Sequence, residues 1–213
     1  MAPSTREALI DAATRLLDRG GVQAVTLREV GHQAGVSHNA PYKHFAGKEA
    51  LLAAVAAREL VRQRHTLAAT INRTRSPEAI LRAAIHQYVA WAREHPARFK
   101  LVFGSWSTDS EELALAADAA QTILVGVVTE AQDAGALPRG DPVRLASLLR
   151  ALAHGAADLA FAGHLQPKGK GHASADELVD DLLDYLREAA TTTQRTTSKQ
   201  RSDRRARTRT PGT

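Results

Sequence analysis

The chain has 213 residues, of which 44% are apolar, 24% charged and 4% aromatic. That length suggests one domain of ordinary size, or a small one joined to a larger one, and it suffices to bury a core without covalent staples. No residue is cysteine, which excludes a disulfide scaffold, cysteine-ligated metal and thiol catalysis. The formal charge of +5 sits at one end: Thr191 to Thr213 hold seven basic residues and one acid, leaving 21 basic and 22 acidic residues elsewhere. With the body near neutral, a high isoelectric point is no argument for a polyanionic partner. The longest unbroken apolar run, Ala50 to Ala57, is far short of the roughly 18 residues that span a bilayer. Met1 to Arg6 leads into an amphipathic stretch, so neither a secretory leader nor a membrane partner is expected, and the expected location is cytoplasmic.

Alanine occurs 41 times and most apolar stretches repeat at helical spacing, so the chain reads as all-α, with about nine helices. The first helix is expected over 5–19, with Ser4 and Glu7 as a capping box and Gly20-Gly21 as its end. Leu9, Ala12, Ala13, Leu16 and Leu17 form its inward stripe. Thr26 with Glu29 opens a short helix over 27–34 that Gly35 terminates; Ser37 is expected to cap a third over 38–45. A long helix follows over 48–73, then one from Pro77 to about 94 and a short one from Pro96 to 103, His95-Pro96 forcing the boundary between them. Further helices are expected over 110–134, 142–163 and 175–190, the last capped by Ser174. Residues 191–213 carry almost nothing apolar and are expected to be disordered.

The segment Thr26 to Phe45 reads TLREVGHQAGVSHNAPYKHF. Two short capped helices flank a glycine-bearing turn, after a first helix that can pack beneath them, which is the helix-turn-helix layout. Ser37, His38, Asn39, Tyr42, Lys43 and His44 place six hydrogen-bonding side chains within eight residues, while Ala40 and Pro41 keep one edge small enough to approach bases. Lys48 and the amides opening the long helix form a candidate phosphate seat, as do Thr26 and Arg28. By spacing alone, these residues would serve equally well as a solvated face.

Thr26, Leu27, Arg28, Val30, Ala34, Gly35, Val36, Ser37, Tyr42, His44, Phe45, Lys48, Glu49 and Leu51 stand at the spacing of the amino-terminal domain of the TetR family of transcriptional regulators, which the chain resembles over about 50 residues. The resemblance implies that Tyr42, His44 and Lys48 contact phosphates, helped by Thr26 and Arg28. It implies that Ser37, His38, Asn39 and Lys43 lie nearest the bases of a double-stranded DNA operator, with Phe45 anchoring the reading helix. It implies an effector-binding and dimerisation domain over 48–190 behind a DNA-binding domain over 1–47. The last two helices would pair two copies, since a lone short reading helix makes too few contacts and a two-fold dimer supplies half-sites about 34 Å apart. Leu145, Leu148, Leu149, Leu152, Ala153, Ala156 and Ala157, with Leu178, Leu182, Leu183, Tyr185 and Leu186, supply apolar faces that core packing within one subunit would equally explain.

Leu149 to Leu165, LRALAHGAADLAFAGHL, resembles the carboxy-terminal domain of a TetR subgroup named for a Trp-His-Gly signature, with Arg150 at the tryptophan's position. His95 to Phe103 is similar to that subgroup's middle segment. The family likeness implies a small-molecule effector between the central helices, with Tyr88, Trp91, Phe99, Phe103, Trp106, His154 and Phe161 as candidates; each of them also suits ordinary core packing. No metal, cofactor or catalytic signature is legible: the nine histidines lack H-x-x-x-H spacing and Ser105 lacks a nucleophile elbow. The expectation is a non-enzymatic, ligand-responsive repressor. The alternatives are an all-α carrier or enzyme with a merely structural first domain, and a nucleoid-type protein that binds DNA by charge alone.

Overall fold

The computed structural model describes residues 4–74 and 76–207, the side chains from Thr193 onward excepted. Nine helices and no strand make up the described residues: α1 Thr5–Ala24, α2 Leu27–Gln33, α3 Ala40–His44, α4 Lys48–Arg73, α5 Pro77–Glu94, α6 Pro96–Val102, α7 Glu111–Asp133, α8 Pro142–Phe161 and α9 Ala175–Arg207. The caps are those the residues dictate. Ser4 and Glu7 close a reciprocal box at α1, and Ser174 and Glu177 do the same at α9. Asp141 accepts from the amides of Val143 and Arg144 at α8. The regular part of α1 ends at the Gly20-Gly21 pair, where Gly21 takes φ +67°.

The helices form two compact units, one from residues up to Ala69 with Ala90–Ile123, the other from Thr70–Val89 with Leu124 onward. In the first, Leu9, Ile10, Leu16 and Leu17 of α1 meet Val30 of α2, Phe45 at the end of α3, Leu51, Leu52 and Val55 of α4, and Leu101 of α6 in one buried cluster. In the second, the buried residues include Leu81, Ile85 and Val89 of α5, Val127 and Val128 of α7, Leu149 and Ala153 of α8, and Val179 and Leu183 of α9. Arg82 of α5 pairs with Asp180 and Asp184 of α9, and Arg187 of α9 reaches Glu78.

Three expectations change. The third helix begins at Ala40, not near His38, and Ser37 contributes its backbone carbonyl to the Ala40 amide at 2.9 Å instead of a side-chain cap. Pro41 has no N–H to donate to that carbonyl, so the preceding residues stay a turn. The last helix does not stop near Ala190 but continues to Arg207, so the stretch expected as disordered is helical that far; 208–213 and 1–3 lie outside the described residues. No glycine or proline interrupts Thr191 to Arg207, and extending an existing helix avoids the cost of nucleating one. Lastly, α7 is long and apolar enough to cross a membrane by length and composition, although Asp118 breaks its apolar run.

Candidate nucleic-acid interface

The unit formed by α1, α2 and α3 is small, so its shape depends on close approach. α2 packs on both α1 and α3. Thr26 accepts a hydrogen bond from the Glu29 amide at 3.2 Å and thereby fixes where α2 starts. Val30 and Gly31 face inward. A Cβ placed on Gly31 would lie 3.0 Å from the Pro41 Cγ, so the absence of a side chain there lets α3 seat against α2. Gly35, at φ +65°, turns the chain between them. Pro41 and Phe45 are buried, Phe45 to 4% exposure, and the Arg6 guanidinium lies 5.4 Å over the Phe45 ring. Thus α3 is pinned by two residues of its inner face.

Its remaining residues are turned to solvent. Ser37, His38, Asn39, Lys43 and His44 are exposed, and Tyr42 is 55% exposed. The His38 and Tyr42 rings meet edge to face, 6.0 Å apart at 88°, which orders the two side chains as a pair. Thr26 and Arg28 are exposed at the start of α2, and Lys48 is half-buried at the start of α4. The amides of a helix's first turn have no intrahelical acceptor and, with the helix dipole, favour an anion. The acids on these helix starts are engaged: Glu29 accepts from Gln33 at 3.3 Å, and Glu49 accepts from the Ser107 hydroxyl at 2.6 and 2.7 Å. The starts of α2 and α4 and the outer side of α3 thus present polar side chains with a small basic excess, Arg28, Lys43 and Lys48 against Glu29 and Glu49.

A polar clamp that the sequence does not announce braces the same unit. Arg98 of α6 donates to Asp18 of α1 at 2.6 and 2.9 Å and to Glu59 of α4 at 3.4 Å. Glu59 is 2% exposed and also accepts from Arg62. The bond to Asp18, helped by Glu59, raises the Arg98 guanidinium further above its already high ordinary value. Arg58 adds bonds to Asp11 at 2.5 Å and to the Thr14 hydroxyl at 2.6 Å. Apart from the Arg62 bond, these partners lie 39 to 80 positions apart in sequence, beyond the reach of any local pattern.

The seven aromatic and imidazole candidates fall into two groups. Tyr88 and His154 belong to the second unit and share a hydrogen bond of 3.0 Å between the phenol oxygen and Nδ1. Burial pushes the Tyr88 phenol well above its ordinary value. Phe161 ends α8 in the same unit. Trp91, Phe99 and Phe103 belong to the first unit and form a chain of ring contacts at 6.1 and 5.5 Å, with Phe99 buried and Phe103 exposed. Trp106 packs against the core of that unit.

Comparison with known proteins places both parts of the chain. Residues 9–55 match the model of bacterial regulatory proteins of the tetR family, and residues 81–182 match the model described as the tetracyclin repressor-like C-terminal domain. The HTH-type transcriptional regulator BetI of Brucella anthropi is 36% identical over 85 residues, which cover 40% of this chain and 44% of that protein. The chain thus spans less than half the length of this curated relative. A solved protein of unknown function from Rhodococcus sp. RHA1 is 31% identical, with a TM-score of 0.75, over 88% of this chain and 96% of that one. The transcriptional regulator FadR of Bacillus subtilis, solved in complex with stearoyl-CoA, shares the fold at 16% identity and a TM-score of 0.65, over 84% of this chain and 96% of that one. With both models matching in order and a layout of nine helices among the described residues, the chain belongs to the TetR family of bacterial regulatory proteins.

Proposed function

We propose that this chain is a ligand-responsive transcriptional repressor of the cytoplasm that binds a palindromic DNA operator as a homodimer and leaves it when a small molecule binds. The observation that carries the reading is the exposed surface formed by the turn before α3 and by α3 itself, which joins Ser37, His38 and Asn39 of the turn to Tyr42, Lys43 and His44 of a helix anchored by Pro41 and Phe45. In this reading Ser37, His38, Asn39 and Lys43 meet base edges, and Tyr42, His44, Lys48, Thr26 and Arg28 hold phosphates. Residues 1–47 form the DNA-binding domain and 48–190 the effector-binding and dimerisation domain, with 191–213 as a basic tail. The effector contacts are drawn from Tyr88, Trp91, Phe99, Phe103, Trp106, His154 and Phe161. The FadR of Bacillus subtilis, in complex with stearoyl-CoA, supports a fold with room for such a molecule. The chain works without a resident metal or cofactor and is not an enzyme. α7 lies inside the segment that matches the tetracyclin repressor-like domain and carries five carboxylates, which supports a place in protein and not in lipid.

Self-association is supported by α8 and α9. Leu148, Leu152, Gly155 and Leu159 follow one another at steps of four, three and four along α8, and its three leucines are exposed, Leu148 to 66%. Tyr185 of α9 is 67% exposed. This is the spacing of a seam between paired helices, with Gly155 allowing close approach.

Selection from random duplex DNA tests the reading. An enriched palindrome is expected, with affinity reduced about 5- to 150-fold for each base-edge hydrogen-bonding group that the Asn39→Ala, Lys43→Ala double variant removes. Recovery without enrichment at physiological salt would overturn the operator reading in favour of binding by charge alone.

A further inference from the structure

His86 lies on α5 and faces α9. Its Nδ1 is 3.1 Å from an Asp176 carboxylate oxygen and its Nε2 is 2.8 Å from Asp180. A neutral imidazole has one N–H, so only one of these contacts could then be a hydrogen bond; the other would set a nitrogen lone pair against a carboxylate oxygen. Two carboxylates on the two ring nitrogens are satisfied together only by the imidazolium. The charged groups of this network include Arg82, one turn earlier on α5, Asp176, Asp180 and Asp184 on α9, and Arg187 of α9, which lies 3.7 Å from Asp184 and 3.5 Å from Glu78. Arg82 pairs with Asp180 and Asp184, Arg187 with Asp184, and His86 adds a further cation to this acidic face once it is protonated. Losing the proton withdraws that cation from Asp176 and Asp180.

We propose that His86 is a proton-held latch that fastens the amino-terminal turns of α9 to α5 and loosens as the medium turns alkaline. Partial burial acts against the charged ring, but the hydrogen bonds to Asp180 and Asp176 outweigh it and hold His86 above its ordinary value of 6.5. Asp180 is held low for the same reason, its bonds to His86 and Arg82 overcoming its own burial. The contribution of His86 is therefore complete below about pH 6.5, where folded and unfolded chains are both protonated, and it disappears as pH rises through the folded value. That of Asp180 is complete above its ordinary value and disappears as pH falls through its lowered one. Between these limits the latch is shut. Because the exposed Tyr185 follows along the same helix, the latch would make the seating of that part of α9 depend on protons.

The ring resonances of His86 in the full chain, assigned by their absence from His86→Gln, report the charge directly. The expected result at pH 7 is both nitrogens protonated, a titration midpoint above that of the exposed histidines, and a fall in that midpoint in Asp176→Asn. Thermal unfolding gives the second readout. Above pH 6.5, the unfolding constant of the wild type should rise relative to that of His86→Gln by up to tenfold per pH unit, the limit for one proton. A single protonated ring nitrogen at pH 7, or a midpoint at or below that of the exposed histidines, would overturn the latch. So would parallel unfolding profiles of the two proteins above pH 6.5. The ring resonances are read on the wild type, so the result stands whether or not the chain selects an operator.

Discussion

Gly31 decides how closely α3 sits against α2. With the Pro41 Cγ 3.0 Å from where a Cβ would be, alanine requires a small shift of the proline ring, and valine requires α2 and α3 to separate. Gly31→Val should cost about 1–3 kcal/mol. Calorimetry should register that loss, and DNA binding should fall further than the population of folded protein does. Gly35 is constrained differently, by its backbone: nothing lies within 4 Å of its would-be Cβ, but φ +65° makes any side chain costly. Gly35→Ala should lower stability by about 1–2 kcal/mol without crowding a neighbour. Of these two glycines, the sequence shows the role of Gly35, which ends a periodic stretch. It hides that of Gly31, because a glycine inside a helix carries no sign of what it approaches.

At the scale of elements, α6 is a short helix whose influence comes from one side chain. Arg98 ties α1 through Asp18 and α4 through Glu59, and Glu59 has almost no access to water. Arg98→Ala leaves that carboxylate with the partly exposed Arg62 as its hydrogen-bonding cation and should destabilise the first unit by roughly 1–3 kcal/mol, the cost of an under-satisfied buried group. Denaturant titration followed by the fluorescence of Trp106, which packs against this core, would measure it. An unchanged midpoint would mean that solvent reaches Glu59 readily. The helices themselves were almost all legible, since capping residues, prolines and glycines act within four residues of the ends they define. The start of α3 was not, because a serine in capping position gave a local signal that the missing amide of Pro41 overrode. The far end of α9 was hidden by composition: the stretch looked too polar to order, yet nothing in it breaks a helix already under way.

For the whole molecule, the wide apolar stripe of α8 separates into two parts. Leu149, Ala153, Ala156 and Ala157 are buried within the second unit, while Leu148, Leu152 and Leu159 are exposed. Leu148→Asp should therefore leave helix content unchanged and shift a dimer toward monomer at micromolar concentration. Circular dichroism and light scattering after size exclusion would check the two halves of that statement; a dimer of unaltered strength would move the interface elsewhere. The sequence by itself determined the helical class, the sites of most helix ends and the helix-turn-helix motif, because periodicity, caps and fixed local spacing are properties of neighbours along the chain. Only the tertiary structure decided which leucines of α8 are core and which are surface, that Arg98 spans to Asp18 and Glu59, and that both nitrogens of His86 meet acids. Those pairings join residues that are distant along the chain, and only the packing of one helix on another brings them within the few ångströms at which charge and hydrogen bonding act.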